Sequence, residues 1–596
     1  MHIEIFLNMK FIQNVIATVV GLFLFFMILF FGLILIGTLF GSSSKSVQVK
    51  SNSVIELDLS KVNNDYGGQY YIKDFEYTQV NNDGFVDVLR ALEHAKTDNN
   101  IKGITLVNSS SGLGLAQLTE LRQSLEDFKT SGKFVVSYAD MYAQRDYYVS
   151  SVSDTIYLNP VGQFDFRGLG TEILFYKDLQ DKSGIKMEVI RHGKYKSAVE
   201  PYLQNTISEA NKEQNLTLLN SIWNTIVSDI SKSRKISVDS LNTFAENLSA
   251  QYPKQALAKK LVDKVDYEDV FHAGVKNALG INKDKDYNKI EILDYAYEIA
   301  NTVSVKSKEN KIALIFAQGT IMSGEGDATY IGEGSIRRSL EKARNDKNVK
   351  SVVLRVDSPG GSALTSDLIW REIELTKKVK PVVVSMGNLA ASGGYYISCN
   401  ASKIFAENNT ITGSIGVFGT IPNISELAGK IGVNAEQVQT HKHGVQYSLF
   451  EPMTDEFRNE MLQSIEHIYD VFLTRVSTGR NMTKEQVDEI AQGRVWTGTD
   501  AKRLGLVDEI GNLDDAINEA AKLANIDDYT TVDFPKYETK IDNILGKMFG
   551  LSIFKSQDEI IKEYVGEEAY QMLDQVKNAQ KMKGIQAILP YKLVIK

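Results

Sequence analysis

The first pattern along the chain is unbroken apolarity. From Val15 to Phe40 the sequence VIATVVGLFLFFMILFFGLILIGTLF carries no charge, and the uncharged run extends to Lys10 and Lys45 on its two sides. As a helix rising ~1.5 Å per residue, this stretch is about 39 Å long and exceeds the ~30 Å hydrocarbon core of a bilayer. It reads as an uncleaved transmembrane anchor. A signal peptide's apolar region runs only ~7–15 residues, and Thr-Leu-Phe-Gly-Ser-Ser makes a poor cleavage site. The flanking charges do not set its orientation. No other stretch approaches about 18 consecutive apolar residues, so the remainder is expected to be a water-soluble body.

In that body the period changes. Short β-branched runs at Lys311–Ala317, Val349–Val356 and Pro381–Met386 alternate with helix-period stretches at Ser335–Asn345 and Ser366–Lys377. Strands alternating with helices imply βαβ units around a parallel sheet. Function in such sheets sits beyond the strand C-termini, here the loops after Val356 and Met386.

The pattern occurs twice. One constant shift places Leu92-Glu93 on Leu340-Glu341, Ser110 on Ser358, Gly112 on Gly360 and Val135-Val136-Ser137 on Val383-Val384-Ser385. It also pairs Tyr147-Tyr148 with Tyr395-Tyr396 and Gly168 with Gly416. Chance would not hold one register so far. The expected organisation is an anchor at 1–45, a first repeat at 46–300, a second at 301–535 and a tail at 536–596. Within the tail, Ile541–Phe554 is apolar on one helical face and reads as a packed amphipathic helix.

Composition narrows the function. Hydrophobic content of 43% and charged content of 24% exclude wholesale disorder, and a net charge of −9 makes nucleic acid a poor partner. With Cys399 the one cysteine, no intrachain disulfide or thiolate cluster can form, and the seven histidines make no HExxH pattern. No metal or cofactor is expected.

The chemistry-bearing residues differ between the copies. Asp357-Ser358-Pro359-Gly360-Gly361-Ser362 follows one strand, and its glycines allow backbone N–H groups to face a bound carbonyl. Ser392, in Leu389-Ala390-Ala391-Ser392-Gly393-Gly394-Tyr395, follows the next strand and is flanked by small residues that permit a tight turn presenting its hydroxyl. It could also be a simple helix cap. Against that, the first copy has Gln144 at its position, Arg145-Asp146 opposite Gly393-Gly394, and Leu113 opposite Gly361. The converse holds at Lys196 of the first copy, whose counterpart is Tyr447. A desolvated lysine can serve as general base, whereas His441 and His443 fit no triad spacing.

Four ordered motifs carry a resemblance: Tyr195–Pro201 (YKSAVEP), Asp357–Ser362 (DSPGGS), Ala390–Tyr395 (AASGGY) and Thr412–Gly416 (TGSIG). Over residues 14 to 535 the chain resembles the long, duplicated form of the signal peptide peptidase A family. The resemblance implies an α/β fold of two tandem Clp-protease/crotonase-like domains behind one transmembrane helix. It implies a Ser/Lys dyad of Ser392 and Lys196 rather than Lys194, with Ser414 orienting the lysine and Gly360 and Gly361 forming the oxyanion hole. It further implies a homotetramer in the inner membrane with its catalytic body on the periplasmic side, and cleaved signal peptides as substrates. The competing readings are an inactive membrane scaffold and a crotonase-like acyl-CoA enzyme.

Overall fold

The computed structural model describes residues 14–32, 48–62, 64–72, 77–282, 284–302, 308–539 and 586–588. The apolar segment forms a helix over Asn14–Gly32, 19 residues with a mean hydropathy of 2.7. At ~1.5 Å per residue it is about 28 Å long, close to the thickness of a hydrocarbon core. Its large side chains, Phe23 and Ile28 among them, are exposed on every face. The remainder of the anchor read from the sequence, beyond Gly32, lies outside the described residues, as does the tail segment Ile541–Phe554.

The body is α/β, and its duplication is visible in two sheets that share a parallel six-strand path in the same order; the second sheet also carries Ile411–Gly413 beside Val382–Ala391 and, antiparallel to Ile411–Gly413, Val495–Thr497. In the first copy the order is Lys264–Val265, Thr155–Phe164, Phe134–Tyr142, Ile101–Val107, Ser53–Glu56 and Asn288–Glu291. In the second it is Glu509–Ile510, Lys403–Ala406, Val382–Ala391, Val349–Ser358, Lys311–Gln318 and Thr530–Phe534. Every neighbouring pair along these two paths is parallel.

The sequence patterns explain these elements. Val349–Ser358 lies mid-sheet with both faces covered, which is why it reads as a continuous β-branched run instead of alternating. Helix Glu333–Asn345 buries Ile336, Leu340 and Ala343, spaced four and three apart on one face, and leaves its charges outward. Helix Ala363–Lys377 buries Ile369, Trp370 and Ile373 by the same rule.

A third, mixed sheet joins the copies. Its order is Tyr330–Gly332, Thr320–Met322, Gly360–Ser362, Gln586–Ile588, Phe418–Asn423 and Lys186–Arg191. One strand comes from the first copy, four from the second and one from the tail. Lys186–Arg191 pairs antiparallel with Phe418–Asn423 over six residue pairs, which carries the chain just before Lys196 against the second copy.

A buried ion cluster fastens the same interface. Arg355 donates from Nε to Asp65 Oδ2 at 2.7 Å, from Nη2 to Glu120 Oε2 at 2.7 Å and from Nη1 to Ser385 Oγ at 2.9 Å. The three charged side chains are at most 2% exposed. Gln117 Nε2 donates to the second oxygen of Asp65, and the Leu513 N–H donates to the second oxygen of Glu120. Each carboxylate is thus satisfied on both sides, as burial of charge requires. Next to Asp65, Tyr66 Oη donates to the Pro535 carbonyl, and Lys536–Thr539 then runs parallel to Gln69–Ile72 and returns the chain to the first copy.

Candidate active site

Strand Val382–Ala391 ends at Ser392, whose backbone takes φ 55 and ψ −112. That conformation strains a residue with a Cβ, and the strain turns the chain sharply into helix Gly393–Ser398. Ser392 stands at the helix cap, yet its hydroxyl caps nothing. Its partner is instead Lys196, whose Nζ lies 2.9 Å from Ser392 Oγ. Both residues are fully buried.

Lys196 Nζ also lies 3.0 Å from Ser414 Oγ and donates to the Ser414 carbonyl at 3.1 Å. Burial pushes its ammonium well below the ordinary lysine range. The base is held from outside its own repeat. Tyr195 N–H donates to the Gln492 carbonyl at 2.8 Å, and Ser414 N–H donates to the Arg494 carbonyl. Between them, Gly493 has φ +82, and a Cβ there would press into the Lys196 backbone. Sequence reading missed this Gln492–Arg494 turn. The glycine after Gln492 was its available signal.

The Gly-rich loop is more specific than the sequence reading had it. Gly360, at φ 98, has its N–H committed to Ser358 Oγ at 3.1 Å. The N–H of Ser392 is committed too, donating to the Gly413 carbonyl at 2.8 Å. Gly361 and Gly393 converge beside the nucleophile: a Cβ on Gly393 would stand 3.1 Å from the Gly361 nitrogen. Gly393 is the first residue of its helix, so its N–H has no intrahelical acceptor.

The other sequence candidates lie apart. Lys194 is exposed, and His441 and His443 sit in an exposed loop. Tyr447, the counterpart of Lys196, donates its hydroxyl to the Pro422 carbonyl. In the first copy Gln144 spends its amide on neighbours. Its oxygen accepts from the N–H groups of Arg167 and Gly168 and its nitrogen donates to the Gly168 carbonyl. The lysine of one copy and the serine of the other therefore make one buried pair.

Comparison with known proteins gives the family of the chain. The model of peptidase family S49 matches twice, at residues 127–282 and 374–527. Protease 4 of Haemophilus influenzae is 40% identical over 74% of this chain and 73% of its own length. A chloroplastic serine protease SPPA of Arabidopsis thaliana is 33% identical over 76% of this chain and 68% of its own. A solved ClpP1 mutant from Listeria monocytogenes covers 34% of this chain and 94% of its own at 17% identity, with a TM-score of 0.24, too low to carry weight. Two matches to one family domain, and a relative 40% identical over most of its own length, establish that the chain belongs to peptidase family S49.

Proposed function

We propose that the protein is a membrane-anchored serine endopeptidase in which Ser392 is the nucleophile and Lys196 the general base. The observation that carries this reading is the 2.9 Å approach of Lys196 Nζ to Ser392 Oγ in a fully buried setting. A lysine kept neutral by burial can donate to the Ser414 carbonyl and still offer its lone pair to the serine proton.

In the reaction, Ser392 Oγ adds to the substrate carbonyl as its proton passes to Lys196 Nζ. The developing oxyanion is met by the N–H groups of Gly361 and Gly393, with Gly360 shaping the loop that presents them. Lys196 then gives the proton to the leaving amine, and water hydrolyses the ester. Ser414 positions the lysine.

The substrates are cleaved signal peptides, which are extended and apolar. The helix Asn14–Gly32 supports the anchor, because a helix apolar all round and buried against none of the described residues calls for an apolar solvent. Resemblance to the family supports the rest: residues 1–45 anchor a homotetramer in the inner membrane, with repeats 46–300 and 301–535 and tail 536–596 on the periplasmic side. Mass spectrometry of synthetic signal peptides incubated with the purified protein tests the reading. Internal cleavage is expected, and Ser392→Ala and Lys196→Ala abolish it. Hydrolysis of an acyl-CoA thioester with no peptide cleavage would contradict it.

A further inference from the structure

The turn that closes over the backbone of Lys196 has an unusual conformation. Gln492 takes φ 55 and Gly493 takes φ 82, two left-handed residues in succession. Glycine enters that region freely, but a residue with a Cβ stays there only where the surrounding contacts over-determine it. The turn touches the base directly. The Gln492 carbonyl accepts from the Tyr195 N–H at 2.8 Å, and the Gly493 N–H donates to the Ile415 carbonyl at 2.8 Å. A Cβ on Gly416 would stand 2.9 Å from the Gly493 Cα and 3.3 Å from Lys196 Cδ, so the turn, the lysine stem and the Thr412–Gly416 segment are packed without slack.

Two side chains on neighbouring helices hold Gln492 in place. Tyr469, on helix Asp455–Arg480, donates its hydroxyl at 2.5 Å to Asp488 Oδ1, on helix Lys484–Ile490. The same Asp488 oxygen accepts from Gln492 Nε2 at 2.6 Å, and the Gln492 N–H points at Tyr469 Oη at 3.4 Å. The Tyr469 ring also stacks on His192, 4.0 Å between centroids, and His192 Nδ1 lies 2.7 Å from Glu466 Oε1. His192 follows the strand Lys186–Arg191, so the tyrosine touches both the turn and the segment that delivers Lys196.

The first copy shows the same pair without the turn. Each copy has a 26-residue helix ending in arginine, Glu209–Arg234 and Asp455–Arg480, and aligning these places Trp223 on Tyr469 and Asn242 on Asp488. Trp223 Nε1 donates to Asn242 Oδ1 at 2.8 Å, a neutral contact between the two helices. There the following helix, Val238–Glu246, runs on through the position of Gln492. Only in the copy that cradles a lysine does the helix stop at Ile490 and the next turn go left-handed.

We infer that Tyr469 and Asp488 are positioning residues for the general base: they hold Gln492 in its left-handed turn, and the turn holds Lys196 against Ser392. The inference rests on the Ser392/Lys196 reading above. Proton transfer requires Lys196 Nζ to stay within hydrogen-bond reach of Ser392 Oγ, and a loosened turn frees the lysine stem and admits water. Ser392 Oγ, Ser414 and the Phe418 ring face Lys196 Nζ, and burial among them depresses its ammonium.

Steady-state kinetics of Asp488→Ala, Asp488→Asn and Tyr469→Phe on a signal-peptide reporter tests this, with intact sites counted by fluorophosphonate labelling carried to completion. Asp488→Ala should lower kcat per labelled site by roughly 10–100-fold with KM near that of wild type. Its kcat/KM limb should move to higher pH, because water reaching Lys196 returns the ammonium toward its ordinary range. Tyr469→Phe keeps the ring on His192 and loses only the hydroxyl; it should move the limb the same way, and it decides the outcome if Asp488→Ala does not fold. Asp488→Asn keeps the accepting oxygen, as Asn242 does in the first copy, and should recover most of kcat. Full kcat per site and an unmoved limb in Asp488→Ala and Tyr469→Phe, whatever their melting temperatures, would leave the pair a packing role and overturn the inference alone. Asp488→Asn as poor as Asp488→Ala would show a need for the charge in place of positioning, and overturn it too. A Lys196→Ala chain as active as wild type overturns the dyad reading and this one with it.

Discussion

Lys196 Nζ lies 2.9 Å from Ser392 Oγ although 196 residues separate them along the chain. The contact is made by a first-copy loop reaching into the second copy. Each side of it has lost its counterpart, with Gln144 in place of a serine and Tyr447 in place of a lysine.

Ser392→Ala and Lys196→Ala are each expected to lower kcat/KM by roughly 1,000-fold or more, and the double variant by no more than the worse single one, since nucleophile and base act as a unit. Lys194→Ala, at an exposed position two residues away, should keep most activity. Steady-state kinetics on a signal-peptide reporter checks all four chains. Loss with Lys194→Ala and retention with Lys196→Ala would reverse the assignment.

The pH dependence follows from the burial of Lys196. Its ammonium is held well below the ordinary range, and the neutral amine is the active base. Activity is therefore low at acid pH and rises as the amine loses its proton, reaching a plateau well before the ~10.4 of a free lysine. A kcat/KM profile from pH 5 to 10 checks this. A limb that persists in Lys196→Ala and vanishes in His441→Ala or His443→Ala would name another base.

Arg355 joins Asp65 and Glu120 of the first copy to the second, and all three are buried. Arg355→Met should cost about 3–5 kcal/mol, because it leaves two carboxylates buried without their cation. Urea unfolding of the soluble body checks it. A loss below about 1 kcal/mol, the range of a surface pair, would contradict the role given to the cluster.

Glu407 offers a pH test of stability. Burial, with the nearby Glu120 charge, pushes its carboxyl up to about 8, and one of its oxygens has no hydrogen-bond partner among the described residues. The folded state therefore holds a proton that the unfolded chain releases near ~4.3. Stability from this group is full below that value and is lost as pH rises through about 8. Glu407→Gln should match wild type near pH 5 and exceed its melting temperature increasingly up to pH 9. An advantage independent of pH would contradict a buried, protonated carboxyl.

Much of this was legible in the sequence because the signals were local or repeated. The β-branched runs at Val349–Val356 and Pro381–Met386 became the central strands of the second sheet, longer by a few residues at their C-terminal ends. The repeat exposed Ser392 and Lys196 by contrast with Gln144 and Tyr447. What escaped depends on contacts between distant segments. Gly360 could not be separated from Gly361 as a donor, because only the fold brings Ser358 Oγ onto the Gly360 N–H. The Gln492–Arg494 turn beside Lys196 and the Asp65–Arg355–Glu120 cluster have no sequence periodicity to betray them. Gln586–Ile588 is three ordinary residues until two strand edges flank it.

Covalent capture of the nucleophile is the most direct test of the dyad. A fluorophosphonate probe, applied to the purified chain and mapped by peptide mass spectrometry, should label Ser392 and no other residue. Its rate should rise with pH in wild type and fall sharply in Lys196→Ala. Labelling at another serine, or at Ser392 with a rate indifferent to Lys196, would contradict a Ser392/Lys196 site.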